Sequence, residues 1–304
     1  HKYPDMDCIG AAAGVCAMAR KKGAPVHIIK EAGQNPASEM SERLGGLGEY
    51  KDVFLSQQDA ILLADANCLL VVVDTNRPEQ VVSQDLLEAV HKVAVIDHHR
   101  RASSYIADAA LNFHEPYASS ASELVTELLQ YLLEPADLLK TEAEALLAGM
   151  VLDTKQFTMR TGSRTFEAAA FLRRSGADTG DVKKLFQNDL EGTIAKYAII
   201  QNAKLYREKI AIAVVDHTVG RIVAAQAADE LLNIIGIDTS FVLYPDGERV
   251  IISARSMGDT NVQVILEKLG GGGNAAAAGG QISGKSLSQV ATELTQAIDQ
   301  YLEG

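Results

Sequence analysis

The sequence is poor in cysteine, in basic residues and in long apolar stretches. Only three cysteines occur in 304 residues and none form a Cys-x-x-Cys pair, which excludes a disulfide framework and suits a reducing compartment. No uninterrupted apolar run exceeds about six residues, too few to cross a bilayer. There are 28 lysine and arginine residues and 40 acidic residues, which gives a net charge of −12. This charge argues against a protein that binds long nucleic acid by neutralising its phosphates.

The composition that remains is that of a folded globular protein, with 47% apolar and 22% charged residues. The length favours two domains, because single hydrophobic cores stop growing at about 250–300 residues. The chain begins at His1, inside a polar cluster and without an initiator methionine or a signal peptide. We therefore expect it to be a piece of a longer protein.

Short β-branched runs alternate with helical patterns over the first part of the chain, which is typical of βαβ units and a parallel sheet. The runs at 68–73 and 93–96 are continuously apolar, as expected of strands buried on both faces. Capping boxes at Ser120 and Thr141 predict two helix starts. A second pattern of strands and helices begins at Lys209.

These patterns predict an α/β protein with two domains. We expect a parallel-sheet, metal-binding catalytic domain over residues 1–190 and a helical linker over 191–208. A smaller α+β domain then covers 209–304, with a hairpin at the Pro-Asp-Gly-Glu turn of 245–248.

Acidic residues stand directly after the predicted strands. Asp74 and Asp97 each follow an apolar run, and we expect Asp153 to do the same. The carboxyl ends of neighbouring parallel strands share one edge of the sheet, where ligands bind, so these carboxylates converge. A lone strand-end aspartate is more often a helix N-cap than a ligand, but the adjacent His98 and His99 gain nothing from capping.

Together with His1, Asp5 and Asp7, these residues make a set of carboxylate and imidazole ligands. Several carboxylates cannot sit together ionised unless cations neutralise them. Such a set suits Mn²⁺, while Mg²⁺, Co²⁺ and Fe²⁺ stay open, and the thiolate pattern of structural zinc is missing. There are more ligands than one octahedral ion can use, which favours two ions over one.

These motifs, in this order and with apolar strands between them, resemble the DHH/DHHA1 phosphoesterase superfamily along the whole chain. Residues 1–7 are similar to its first motif, 74–75 to the second, 97–99 to the third, and Asp153 to the fourth. The segments 153–157, 160–166 and 253–256 resemble the GdpP-type (YybT-type) cyclic-di-AMP phosphodiesterases of that superfamily. The resemblance implies a parallel-sheet DHH domain followed by a smaller α+β DHHA1 domain that binds substrate.

The resemblance also implies an activity, the hydrolysis of cyclic-di-AMP to 5′-pApA by two Mn²⁺ ions. It implies that one ion is held by His1, Asp5 and Asp74. The second ion shares Asp74 as a bridge, and its further ligands are Asp7, His98 and Asp153. Asp97 and His99 are the implied catalytic pair, with His99 contacting the phosphate or assisting the leaving oxygen; the alternative for His99 is to orient His98.

The substrate-binding residues implied by the resemblance are Arg100, Ser253, Arg255, Gly271, Gly272, Gly273 and Asn274. The glycines at 270–273 could form a flexible linker, but a turn that presents backbone N–H groups to an anion is at least as good an interpretation. An alanine-rich, helix-prone stretch follows them. The family places a histidine after these glycines, whereas this chain has Asn274, whose amide donates a hydrogen bond but carries no charge.

Other functions stay open at this point. The same scaffold serves oligoribonucleases and adenosine 3′,5′-bisphosphate phosphatases, and Asn274 would fit a nucleotide-binding regulatory module with impaired catalysis. The resemblance implies a cytoplasmic location, as the cytosolic catalytic part of a membrane-anchored parent protein. The expected partner is a small cyclic dinucleotide, with no long nucleic acid and no membrane contact by this segment itself; a homodimer stays open.

Overall fold

The computed structural model describes residues 1–31, 33, 35–101, 103–187 and 189–303. The chain divides into two compact units, His1–Gln187 and Asn188–Gly304. Within the described ranges no helix has both the length and the apolar character needed to cross a bilayer.

The first unit contains a parallel sheet, which confirms the predicted fold class. The strands of this unit are β1 (Ile28–Ile29), β2 (Phe54–Leu55), β3 (Leu69–Val73), β4 (Lys92–Asp97) and β5 (Leu111–His114). Its helices are α1 (Met6–Lys21), α2 (Ser38–Gly45), α3 (Gln57–Leu63), α4 (Gln84–Ala89), α5 (Ala121–Leu132), α6 (Lys140–Asp153), α7 (Ser163–Arg174) and α8 (Thr179–Lys184). Strands β3, β4 and β5 lie side by side in that order, all parallel, and β1 pairs in parallel with β2.

Strand β4 is the middle strand, and its residues from Val93 to Asp97 are all buried. Its register pairs Ile96 with Val73 of β3, and Asp97 with His114 of β5. The carboxyl ends of β3 and β4 therefore lie next to each other, as the two continuous apolar runs predict. The residues that follow these strands meet at one edge of the sheet.

Helices α1, α5 and α6 pack closely because glycines stand where their backbones meet. A Cβ on Gly149 of α6 would lie 2.8 Å from the Cα of Asp7 in α1. A Cβ on Gly10 of α1 would lie 2.9 Å from the carbonyl carbon of Ala145 in α6. These glycines thereby fix the spacing between α1, which carries Asp7, and α6, which ends at Asp153.

The second unit is a six-stranded mixed sheet with helices on both faces. Its strands are β6 (Ala203–Tyr206), β7 (Ile210–Val214), β8 (Thr239–Asp246), β9 (Arg249–Ser256), β10 (Gly272–Gly273) and β11 (Ala277–Ser283), in the spatial order β10-β11-β9-β8-β7-β6. Its helices are α9 (Leu190–Gln201), α10 (Arg221–Leu231), α11 (Val262–Glu267) and α12 (Leu287–Leu302). Strands β7 and β8 are parallel, and the other neighbours are antiparallel.

Alternate side chains of β8 serve the two faces of this sheet. Phe241 and Leu243 pack with α11 and α12, whereas Val242 and Tyr244 pack with α9 and α10. This period of two is what a strand covered on both sides requires.

Three local predictions from the sequence are wrong. Asp153 ends helix α6 instead of following a strand, because the apolar run before it continues a buried helix, which periodicity cannot distinguish from a buried strand. That helix begins at Lys140 with Leu139 as its N-cap, so Thr141 is not the cap. The alanine-rich stretch leads into strand β11, because its backbone pairs with β9 and β10, and this pairing overrides the helix propensity of alanine.

We expect the substitution Gly149→Ala to lower the free energy of unfolding by about 1–3 kcal/mol, because its Cβ would overlap the backbone of Asp7. Gly48→Ala is the matched control, since no atom lies within 4 Å of the added Cβ there. Urea denaturation of the two variants measures the difference. Equal stabilities for both would contradict the close helix packing.

Candidate metal centre

Strands β3 and β4 bring Asp74, His98 and His99 together. Asp74 follows β3 with a left-handed backbone (φ 60°), and its N–H donates to the carbonyl of Ile96 in β4. Asp74 Oδ1 lies 3.5 Å from His98 Nε2 and 3.6 Å from His99 Nδ1. His98 is buried, whereas 55% of the His99 side chain is exposed.

The start of the chain and the first turn of α1 supply a second group. His1 Nε2 lies 3.2 Å from Asp74 Oδ2, whereas His98 approaches the other oxygen of that carboxylate. Asp5 is the N-cap of α1, and its Oδ1 accepts from the N–H groups of Asp7 and Cys8 at 3.0 Å each. Capping uses only one oxygen of Asp5, so this role is compatible with metal ligation through the other.

Asp7 is fully buried, and the beginning of α5 holds its carboxylate. Its Oδ2 accepts from the N–H of Ala121 at 2.7 Å, and its Oδ1 accepts from the N–H of Ser122 at 2.8 Å. A helix N-terminus stabilises a negative charge through such free N–H groups. Asp7 Oδ2 lies 3.8 Å from His98 Nε2.

Asp153 reaches the same histidine from the end of α6, with its Oδ2 at 3.1 Å from His98 Nε2. The ligand atoms therefore form three overlapping groups, each within 4.8 Å: His1, Cys8 and Asp74; Asp74, His98 and His99; Asp7, His98 and Asp153. Every residue predicted as a metal ligand except Asp5 belongs to one of these groups, and Asp5 caps the helix that carries Asp7.

Asp97 and His99 form a hydrogen-bonded pair beside these ligands. Asp97 Oδ1 lies 2.9 Å from His99 Nδ1, and Asp97 Oδ2 accepts from the side-chain amide of Asn76. His114, opposite Asp97 in β5, contacts the backbone oxygen of His99 through its Nε2. Arg100 is exposed next to this pair.

Two further residues of the site, Cys8 and Asn76, are not predicted from the sequence motifs. Cys8 is buried beside His1 and Asp74, and Asn76 fixes the carboxylate of Asp97. Both adjoin motif residues in the sequence, since Cys8 follows Asp7 and Asn76 follows Asp74-Thr75. That adjacency is the signal that could have found them.

The second unit has an open cavity of about 600 Å³ beside the glycine-rich strands. Arg255, Ser253 and Arg221 line it, together with the glycines at 270–273. The Arg255 guanidinium donates to the backbone oxygen of Ala254 at 2.9 Å, and its Nε lies 3.3 Å from Asp229 Oδ2.

The glycines and Asn274 have different structural roles beside this cavity. A Cβ on Gly271 would lie 2.6 Å from the carbonyl oxygen of Gly279, whereas Gly272 has open space around it. Asn274 is not among the described residues that line the cavity. Its Oδ1 accepts from the N–H groups of Ala276 and Ala277 at 3.0 and 2.9 Å, and so closes the turn between β10 and β11.

Comparison with known proteins decides the family. The model of the DHH family, N-terminal domain, matches residues 1–150, and the DHHA1 domain model matches residues 207–304. The chain belongs to the DHH/DHHA1 phosphoesterase superfamily. This confirms the resemblance seen in the sequence motifs.

Three of the curated relatives are named cyclic-di-AMP phosphodiesterase, at 40–42% identity. GdpP of Bacillus subtilis (strain 168) is 41% identical over 312 residues, and PdeA of Listeria monocytogenes serotype 1/2a (strain 10403S) is 40% identical over 310 residues. Each alignment covers all of this chain but only 47% of the relative. The chain thus spans about half the length of these curated relatives.

Solved structures support the DHH/DHHA1 fold. An exopolyphosphatase-related protein from Bacteroides fragilis superposes with a TM-score of 0.80 at 22% identity, covering 98% of this chain and 90% of that one. RecJ in complex with Mn²⁺ from Thermus thermophilus gives a TM-score of 0.51 at 16% identity, covering 97% of this chain and 51% of RecJ. At these identities the likeness concerns the fold alone.

The electrostatics of the DHH site favour bound cations. Burial opposes protonation of His1 and His98, but Asp74 beside His1, and Asp153 and Asp74 beside His98, outweigh it and raise both pKa values to about 11. Burial and the nearby Asp74 raise the pKa of Asp7 well above its usual value. Burial would also raise the pKa of Asp74, but His1 and His98 hold it at about 2. Protons thus neutralise the cluster when no cation does.

Unpartnered atoms in this site fit a metal. Among the described residues, the buried side-chain atoms without a hydrogen bond are Asp74 Oδ1 and both ring nitrogens of His98. Leaving such groups unsatisfied is costly, and native structures do so rarely. Carboxylate oxygens and imidazole nitrogens are ligands of divalent first-row cations. The DHH site therefore has the donor set of a metal centre.

We expect metal binding to release protons. His1 and His98 are protonated at neutral pH in the metal-free protein, since their pKa values are raised to about 11, and they must lose these protons to bind a cation. Metal affinity should therefore rise with pH. Calorimetric titration of chelator-treated protein with Mn²⁺ at pH 7, in buffers of different ionisation enthalpy, measures the protons released. A binding enthalpy that does not depend on the buffer would contradict this expectation.

Proposed function

We propose that this chain is the catalytic part of a phosphodiesterase that hydrolyses cyclic-di-AMP to 5′-pApA with two Mn²⁺ ions. The observation that carries the proposal is the buried cluster of carboxylates and imidazoles with unpartnered ligand atoms. The names of relatives that are 40–42% identical over the whole chain support cyclic-di-AMP as the substrate. Oxygen-rich sites with a few imidazoles suit Mn²⁺.

Two ions would each have their own set of ligands and would share Asp74. Its Oδ2 faces His1, and its Oδ1 faces His98, so one carboxylate can serve two neighbouring cations. The first ion would take its ligands from His1, Asp5 and Asp74, and the second from Asp7, Asp74, His98 and Asp153. Cations held there would supply charge stabilisation at the phosphate and a lowered pKa for a bound water.

His99 and Asp97 are the groups that would handle the proton of the leaving oxygen. Asp97 engages Nδ1 of His99, which leaves Nε2 to contact the phosphodiester. The side-chain amide of Asn76 donates a hydrogen bond to the other carboxylate oxygen of Asp97. Asp97 is therefore fixed, and it holds the ring of His99 in one orientation. From this position His99 can donate a hydrogen bond to a phosphate oxygen or a proton to the departing ribose 3′-oxygen.

The cavity of the DHHA1 domain, taken by itself, suits a nucleotide. The guanidinium groups of Arg221 and Arg255 can bind phosphate or a base edge, and the open backbone at Gly272 permits close approach. Asn274 contributes by closing the turn that shapes this wall of the cavity.

Chromatography of cyclic-di-AMP incubated with the protein tests this function. We expect a 5′-pApA peak with Mn²⁺, no product with EDTA, and recovery when excess Mn²⁺ is restored. Turnover that survives EDTA would refute the metal-dependent reaction. Cyclic-di-AMP that binds without turnover would identify a regulatory module, and turnover confined to short oligoribonucleotides or adenosine 3′,5′-bisphosphate would identify the alternative enzymes.

We expect Asp74→Asn to lose more metal than any other ligand substitution, because both ions would share Asp74. Asparagine is chosen since it tolerates the positive φ of this position. Metal content measured by mass spectrometry should fall from two Mn²⁺ per chain towards none. The kcat should fall by more than about 100-fold, since even residues that only orient a ligand are worth up to about that factor.

Asp216→Ala is the matched control. This carboxylate also stands next to a histidine, His217, but it is exposed in the DHHA1 unit. Its substitution should leave both metal content and kcat unchanged. Near-normal metal content in the Asp74→Asn variant would show that the bridging assignment is wrong.

A further inference from the structure

The segment that follows the ligand Asp153 has a strained backbone. Lys155, Gln156 and Phe157 have φ values of 45°, 60° and 62°, in the left-handed region that residues other than glycine avoid. Thr154 holds this turn, since its Oγ1 accepts from the N–H of Phe157 at 2.9 Å. Strain of this kind persists where the surrounding structure imposes it, and it is concentrated at functional sites.

The ring of Phe157 in this turn stacks with the ring of Phe166, which lies near the start of α7, and we call this pair the aromatic shelf. The ring centroids are 5.8 Å apart, with an angle of 22° between the ring planes. Phe157 packs against the core of the first unit, whereas Phe166 is 57% exposed. A large apolar ring that is held in place and left open to solvent has surface available for another flat ring.

Two connections tie this shelf to the metal centre. Phe157 is four residues from Asp153, so their Cα atoms are at most about 14 Å apart. Phe166 follows Thr165, whose hydroxyl donates to the buried carboxylate of Glu123 at 2.6 Å.

Glu123 in turn lies in the first turn of α5, the same turn whose N–H groups hold Asp7. The shelf is therefore anchored to the elements that position Asp7 and Asp153, both of which contact His98.

We propose that the aromatic shelf is a nucleobase site, on which the base next to the scissile phosphate stacks through the exposed ring of Phe166. The occupant is a base because the shelf offers an exposed aromatic face and is anchored to the elements that carry Asp7 and Asp153. The inference rests on the proposed function in that it takes a nucleotide to be the substrate. Stacking is tolerant of sequence, so the shelf adds affinity rather than hydrogen-bond discrimination.

Fluorescence tests the shelf without any turnover. The sequence contains no tryptophan, so Phe166→Trp introduces a single reporter at the site. We expect its emission to change on titration with 5′-AMP in the presence of Mn²⁺ and to stay constant with ribose 5-phosphate, which lacks only the base.

The control for this titration is Tyr131→Trp. Tyr131 is 87% exposed near the far end of α5, about 15 Å from the helix start that holds Asp7. Equal responses of the two variants, or no response of Phe166→Trp to 5′-AMP, would overturn the proposal.

Kinetics provides the second test. We expect Phe166→Ala to raise the KM for cyclic-di-AMP by about 5- to 150-fold, the factor that one base-stacking contact is worth, with kcat changed less than KM. Phe166→Tyr should restore the parent KM because it keeps the ring. An unchanged KM in Phe166→Ala overturns the shelf but leaves the hydrolase intact. A parent protein that fails to hydrolyse cyclic-di-AMP refutes the proposed function, while the 5′-AMP titration still decides the shelf.

Discussion

The carboxylate of Asp7 is completely buried, and the first two N–H groups of α5 hold it in place. This interaction requires α1 and α5 to meet at one point. Helix α6 approaches this meeting point closely, which Gly10 and Gly149 permit. Because α6 ends at Asp153, the same packing that buries Asp7 delivers a second carboxylate to His98. The positions of the candidate ligands Asp7 and Asp153 therefore depend on a single arrangement of three helices.

The parallel sheet brings Asp74 and His98 to this arrangement. Asp74 follows β3 and His98 follows β4, and the ladder between these strands puts them at one edge. The resulting site holds several carboxylates in a protein that is already acidic, with a net charge of −12. Bound cations would offset part of this charge locally, so the field that an anionic nucleotide meets is weaker than the net charge suggests.

Much of this can be predicted from the sequence. Continuous apolar runs predict neighbouring parallel strands, and residues after such strands converge, which is why Asp74, Asp97 and His98 are accessible to sequence reasoning. Burial on both faces is confirmed for β4, whereas only Val72 and Val73 of β3 are buried. Asp153 is identified through a motif. The apolar run that precedes it fits a strand as well as a helix, because a fully buried helix shows no amphipathic period. Strand β11 escapes prediction because its pairing partners β9 and β10, not its own alanines, decide its conformation.

Other features depend on contacts between distant parts of the chain. The hydrogen bond from Thr165 to Glu123 joins residues 42 positions apart. The hydrogen bond from the N–H of Ala121 in α5 to Asp7 joins residues 114 positions apart. No local pattern encodes such distances. Phe157, whose ring stacks with that of Phe166, lies in a left-handed turn of non-glycine residues, which sequence propensity disfavours.

The central claim is that Asp74 bridges two cations within this cluster. Anomalous scattering from crystals of the protein grown with Mn²⁺, collected near the manganese absorption edge, tests it most directly. We expect two peaks roughly 3.5–4 Å apart, the spacing of two-metal hydrolytic sites, with one Asp74 oxygen directed at each. A single peak, or two peaks that do not share Asp74, would contradict it.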